Sequence, residues 1–176
     1  LRRSRAVVVL GAAVFAYFVS VIQRSTMGVA ALSATERFDT GATALSSVAA
    51  GQLAIYALMQ IPAGIALDRF GARRLIIFGS LMTGLGNLVV ALAEQLPLAV
   101  IGRMIVGFGD AFVFISMIRL INGWVPGPRA TTLTQLFANL GQLGQIVSAI
   151  PFAYLLGIAG WSVSFSAAAS LALIAS

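Results

Sequence analysis

The sequence has 176 residues, 60% hydrophobic and 9% charged, with no cysteine or histidine and a formal net charge of +6. A soluble domain carries about 25% charged residues; a chain of this length with a mean hydropathy of +1.00 lacks the polar shell a soluble enzyme needs. Without Cys or His there is no disulfide scaffold, and the commonest metal ligand and proton shuttle are absent, so no cofactor is expected.

What remains is an all-α polytopic membrane bundle. A span with its loop takes roughly 25–30 residues, which divides the chain into six transmembrane helices. The first span covers about residues 6–32, interrupted by Gln23, Arg24, Ser25 and Thr26. It is too long for a signal-peptide core. The polar stretch Ser33 to Gly41, with Glu36, Arg37 and Asp39, reads as a loop. The second span is about 42–67 and the third about 75–92, joined by Asp68-Arg69-Phe70-Gly71-Ala72-Arg73-Arg74. Glu94-Gln95-Leu96-Pro97 turns into a fourth span of about 98–121, and Asn122 to Arg129 forms the next loop. The fifth span is about 130–157, expected to kink or end at Pro151, and Trp161 opens a truncated sixth over 161–176. The chain starts at Leu1 rather than Met and stops inside an apolar run, so it reads as a fragment.

All 11 basic residues are arginine. Those outside the spans cluster: Arg2, Arg3 and Arg5; Arg69, Arg73 and Arg74; and Arg129 fall on one side. The other side has Arg37, beside Glu36 and Asp39, and Glu94. This asymmetry is that of cytoplasmic loops. It predicts a cytoplasmic N-terminus in a bacterial inner or plasma membrane, with the lipid bilayer as partner and no nucleic acid.

Four ionisable residues fall within apolar runs: Arg24, Arg103, Asp110 and, near a cytoplasmic end, Arg119. Each costs at least about 2.5–3.5 kcal/mol at the membrane centre on insertion scales, so each should face a cavity, a partner or the headgroups. Arg119 is expected to snorkel. Arg24 either snorkels outward or faces a cavity. Arg103 and Asp110 are two turns apart on one helix face, with Gly107 between them. They serve either structural pairing with a neighbouring helix or proton and conformational coupling.

Polar stripes recur at helical spacing: Gln52, Tyr56 and Gln60 on the second span, Gln135, Asn139 and Gln142 on the fifth, and Tyr17 two turns before Arg24. The third span offers only Ser80, Thr83 and Asn87, and the sixth only serines. The first, second, fourth and fifth spans are thus expected to share an aqueous cavity, with the third and sixth facing lipid. Candidate substrate-binding residues are Arg24, Tyr17, Gln52, Tyr56, Asn139 and Gln142. Arg24 has a planar fork suited to carboxylate or phosphate. No acid lies on the first span; Asp110 is the only embedded acid, and Arg103 competes for it. One cation is therefore expected to await a substrate anion.

The segment Gly64 to Arg74 closely resembles the G-x-x-x-D-R-x-G-x-R-R signature of the major facilitator superfamily, and Arg103-x-x-x-Gly107-x-Gly109 resembles that family's fourth-helix motif. In the signature, Gly64 permits close helix contact, Gly71 can take the positive φ of a tight turn, and Asp68 can meet the positive end of a helix or an arginine. The resemblance implies a twelve-helix transporter, of which this is the N-terminal half, the C-terminal six-helix half being missing from the chain. The fifth span has Gly141, Gly144 and Pro151 but lacks the Gly-Pro pair of the family's proton-coupled drug exporters. Tyr17 to Arg24 and Trp124-Val125-Pro126 look like the organophosphate and anion-transporting branches, where an arginine at about Arg24 binds the anion.

The implied function is secondary active transport by alternating access, with a small organic or inorganic anion bound near the midplane. Gly64, Asp68, Gly71, Arg73 and Arg74 would form a cytoplasmic latch, and Arg103, Gly107 and Asp110 a coupling element. The alternatives are a drug or sugar carrier coupled through Asp110, or a transporter-like sensor that moves nothing. An enzyme is not expected.

Overall fold

The computed structural model describes the backbone of residues 2–125 and 127–176, and side chains from residue 8 onward except Pro126. The side chains of Arg2, Arg3 and Arg5, and Pro126 of the Trp124-Val125-Pro126 segment, lie outside the described residues. The described residues are all-α: α1 (Arg2–Val29), α2 (Ala31–Phe38), α3 (Ala42–Phe70), α4 (Ala72–Leu92), α5 (Leu96–Trp124) and α6 (Pro128–Ile174).

At 1.5 Å per residue the 47 residues of α6 would extend about 70 Å, more than twice the roughly 30 Å hydrocarbon core. Its break is at Gly160, with φ 77° and ψ −177°, a conformation that a side chain disfavours. Of the expected kink or end at Pro151, the end does not occur: the helix continues through Pro151. A proline there forgoes one i−4 hydrogen bond while its fixed φ still suits a helix. Trp161 then anchors the return segment, its Nε1–H donating to the Val90 carbonyl at 2.8 Å.

The Ser33 to Gly41 loop is also corrected, since most of it is the helix α2. Ala30 and Ala34, one turn apart, are fully buried, which gives even this polar segment an apolar edge. Arg37 Nε donates to the Ala93 carbonyl at 2.9 Å, and Phe38 meets the Trp161 ring edge-on at 5.3 Å. Asp39, left-handed at φ 45°, ends the helix.

Two apolar clusters mark the two ends of the bundle. One joins Ala13 and Tyr17 of α1, Ile76 of α4, Met117 and Ile121 of α5 and Ala130 of α6, with Ala175 against it. The other joins Met27, Leu45, Val90, Trp161 and Phe165. The α3–α4 and α5–α6 connections thus share one end, and α2, the α4–α5 turn and Gly160 share the other.

The third span, expected to face lipid, presents Phe78, Leu81, Leu85 and Leu88 at the surface, while α4 buries its polar residues Ser80, Thr83 and Asn87. Its most extensive contact is with α5, across a seam of glycines. A Cβ on Gly79 or Gly86 would come within 2.6 Å of the carbonyl oxygen of Gly109 or Gly102, respectively. Such seams let backbones approach where lipid offers no hydrophobic drive to associate.

Candidate functional site

The bundle places Arg24 of α1 against Asp110 of α5. Arg24 Nη2 and Nε lie 2.6 and 2.7 Å from Asp110 Oδ2, and Ser20, one turn earlier on α1, donates its hydroxyl to Oδ1 at 2.6 Å. Asp110 is 1% exposed, whereas Arg24 keeps 21% of its side chain accessible. The Arg24 guanidinium also lies over the Tyr56 ring, 4.7 Å from its centroid, a cation–π contact. Phe114 completes an aromatic wall, 5.6 Å from Tyr17 and 6.3 Å from Tyr56, centroid to centroid.

Two expectations about charge are therefore corrected. Arg103 does not compete for Asp110, and Arg24 is not the cation left without a carboxylate. Among the described residues the ion pairs are Arg24–Asp110 and Arg119–Asp68. Arg103 is fully buried and bonded to neutral oxygens. Its Nε donates to Gln52 Oε1 at 3.0 Å. Its Nη1 donates to the Gln23 carbonyl at 3.2 Å, Thr26 Oγ1 at 3.0 Å and Asn87 Oδ1 at 3.4 Å. Its Nη2 donates to the carbonyls of Gln23 at 3.2 Å and Arg24 at 2.7 Å. All five guanidinium N–H groups thus have acceptors nearby.

This cage removes Gln52 from the cavity wall. Gln52 is 4% exposed, and its Nε2 is buried without a hydrogen-bond partner. Gly107 brings it there, since a Cβ on that glycine would fall 2.5 Å from the Gln52 carbonyl oxygen. Between α3 and α5 the tight approach is at Gly107 rather than Gly64, where a Cβ would meet Ile115 at an ordinary 3.8 Å.

Asn139 and Gln142 are exposed on α6 and are not bonded to the Arg24 cluster. Their helix does reach it, for the face of Gly141 abuts the Tyr17 ring. At the other candidate site, Gly71 has φ 79°. Asp68 lies 3.4 Å from Arg119, both largely exposed, so Arg119 has a carboxylate partner. Arg73 and Arg74 are exposed.

Sequence reasoning missed four polar participants as members of the site: Ser20, Gln23, Thr26 and Asn87. Gln23 reaches both ways, its Nε2 donating to the Ala168 carbonyl and its Oε1 accepting from Asn87 at 3.3 Å. The available signal was positional, as Ser20 precedes Arg24 by one turn and Gln23 and Thr26 flank it.

Among the described residues, five helices long and apolar enough to cross a membrane and a shorter segment after Gly160, packed around a buried guanidinium–carboxylate cluster, define a polytopic membrane bundle with an embedded polar site. The chain matches the sequence model of the Major Facilitator Superfamily over residues 13–176 and belongs to that superfamily of transporters. It is similar to a probable sulfoacetate transporter, SauU, of Cupriavidus necator, at 29% identity over 89% of this chain and 36% of the relative. A putative tartrate transporter of Agrobacterium vitis is 26% identical over 90% of this chain and 36% of the relative. The drug efflux pump JefA of Mycobacterium tuberculosis is 29% identical over 73% of this chain and 25% of the relative. The chain thus spans about a third or less of the length of these curated relatives.

Proposed function

We propose that this chain is one six-helix half of a secondary transporter that carries a small organic anion, a carboxylate or sulfonate, by alternating access. Its N-terminus is cytoplasmic in this reading. The observation that carries it is the state of Arg24, which is partly accessible, stacked on Tyr56 and held by a single buried carboxylate. The two bonds to Asp110 use Nε and Nη2, so an arriving anion meets Nη1 first and then competes with Asp110 for the fork. A carboxylate released from Arg24 keeps only the Ser20 hydroxyl in a buried position, and an unpaired buried charge is costly. A proton taking Arg24's place on Asp110 removes that cost, which couples the binding of a doubly charged anion to proton uptake. Tyr17, Tyr56 and Phe114 form one wall, Asn139 and Gln142 the α6 side, and a second six-helix half closes the site. Asp68, Arg73 and Arg74 act at the cytoplasmic end as a latch between halves. The names of the sulfoacetate and tartrate relatives support the anion class. That of the drug efflux relative keeps a second reading, export of an uncharged or cationic amphiphile against the aromatic wall.

The test is uptake and counterflow by the full-length protein in proteoliposomes, comparing sulfoacetate and tartrate with neutral and cationic solutes. Sulfoacetate exchange should weaken in Arg24→Lys, which keeps the charge but loses the fork, and further in Arg24→Gln. Unchanged exchange in Arg24→Gln refutes the anion reading, and binding without exchange makes the protein a sensor.

A further inference from the structure

Arg103 shares α5 with Asp110 but does different work. Three of its hydrogen bonds land on the backbone carbonyls of Gln23 and Arg24, and a fourth on the side chain of Thr26. The others tie in α3 through Gln52 and α4 through Asn87. One side chain therefore fastens three helices at the α1 turn that carries Arg24. On the same α5 face two turns away, Asp110 takes the side chains of Arg24 and Ser20. In a regular helix a shift of one residue is a 1.5 Å rise and about 100° of rotation. A slip of α1 by one residue would swing Arg24 off Asp110 altogether. With no carboxylate partner among the described residues, Arg103 acts through its directed donors. An ammonium, a compact charge with three donors at one point, cannot span the carbonyls of two successive residues and the flanking side chains.

We propose that Arg103 is a positioning residue for anion recognition, fixing the register of α1 so that the Arg24 fork faces its anion. This rests on the anion reading above. It predicts that charge alone does not replace Arg103. It also predicts that the effect of Arg103 reaches the substrate only through the orientation of a fork at position 24.

The experiment measures sulfoacetate affinity, by titration calorimetry on monodisperse full-length protein, for Arg103→Lys, Thr26→Val and Arg24→Gln, and for Arg103→Lys in an Arg24→Lys background. Arg103→Lys should weaken binding about tenfold or more, and Thr26→Val, nearly constant in volume, about threefold. In the Arg24→Lys background the Arg103→Lys effect should shrink at least fivefold, because a single ammonium has no fork to orient. A purely structural role would instead cost the same factor in both backgrounds, which overturns the proposal, as does wild-type affinity in Arg103→Lys. Should Arg103→Lys fail to fold, Thr26→Val decides: weakened affinity supports the proposal and wild-type affinity overturns it. Unchanged binding in Arg24→Gln sinks the anion reading itself, whereas weakened Arg24→Gln with unaffected Thr26→Val and Arg103→Lys sinks only the positioning role.

Discussion

Replacing Asp110 by asparagine removes the charge that competes for Arg24 while keeping the size of the side chain and an oxygen for Ser20. Two unit charges about 4 Å apart interact by about 4 kcal/mol at an effective dielectric of 20. The true gain is smaller, because Arg24 is 21% exposed and the amide oxygen still accepts a bond. A gain of about 1–2 kcal/mol in anion affinity remains, roughly 5–30-fold in the dissociation constant. The same change leaves Arg24 without its counter-charge, so the ligand-free protein should unfold at a lower temperature; removing one member of a fully buried pair costs about 3–5 kcal/mol, and partial exposure reduces it here. Calorimetry with sulfoacetate between pH 6 and 8 reads both affinity and proton coupling. Under the proposed coupling of sulfoacetate binding to proton uptake at Asp110, wild-type affinity should rise as pH falls, by up to about tenfold per unit for one coupled proton. In Asp110→Asn the slope should vanish. A variant that binds more weakly than wild type while keeping its pH slope refutes competition at Arg24.

Gly109→Ala would place a Cβ 2.5 Å from the Gly79 carbonyl oxygen, and overpacking against backbone should cost about 1–3 kcal/mol; an unchanged thermal midpoint in detergent counts against the seam. Asp68→Asn breaks an exposed pair worth about 0–1 kcal/mol, so stability should barely move while exchange slows with affinity retained; lost affinity with normal exchange contradicts the latch. A cysteine at Ala72, in a chain without any other, should resist an impermeant thiol reagent added outside cells, and outside labelling reverses the topology.

The apolar runs and their Arg-rich and Arg-poor connections were legible because hydropathy and loop charge are local properties. The break at Gly160 was not, because proline is the stronger local signal and only the return of the chain onto Val90 through Trp161 requires the turn there. The helicity of α2 was hidden by a polar composition that leaves it a single buried residue, Ala34. Within the site, Arg24, Tyr17, Tyr56 and Asp110 could be picked out because each is unusual in an apolar run. Their pairing could not, since two arginines stood as candidates for one carboxylate. The choice was made by side-chain reach across a glycine seam. Gly107 draws Gln52 onto Arg103, Arg103 turns to the α1 carbonyls, and Asp110 is left to Arg24.

That division changes how an anion of two charges must be balanced. Arg24, Arg103 and Asp110 together carry one net positive charge when Asp110 is ionised, and the surplus sits on Arg103, sealed behind the α1 backbone. A monoanion over Arg24 neutralises the set with the ion pair merely shared, so its binding requires no proton. A dianion leaves one negative charge over in a low-dielectric site, where charge imbalance is expensive. Protonation of Asp110 cancels it, giving two guanidinium charges to two anionic ones. Sulfoacetate should therefore bind with a pH slope near one proton, and methanesulfonate, with the same sulfonate but no carboxylate, with a slope near zero. Proton uptake is measured from calorimetric heats in buffers of different ionisation enthalpy. Equal uptake for the two anions would mean that Asp110 responds to losing Arg24 alone rather than to the total charge of the substrate.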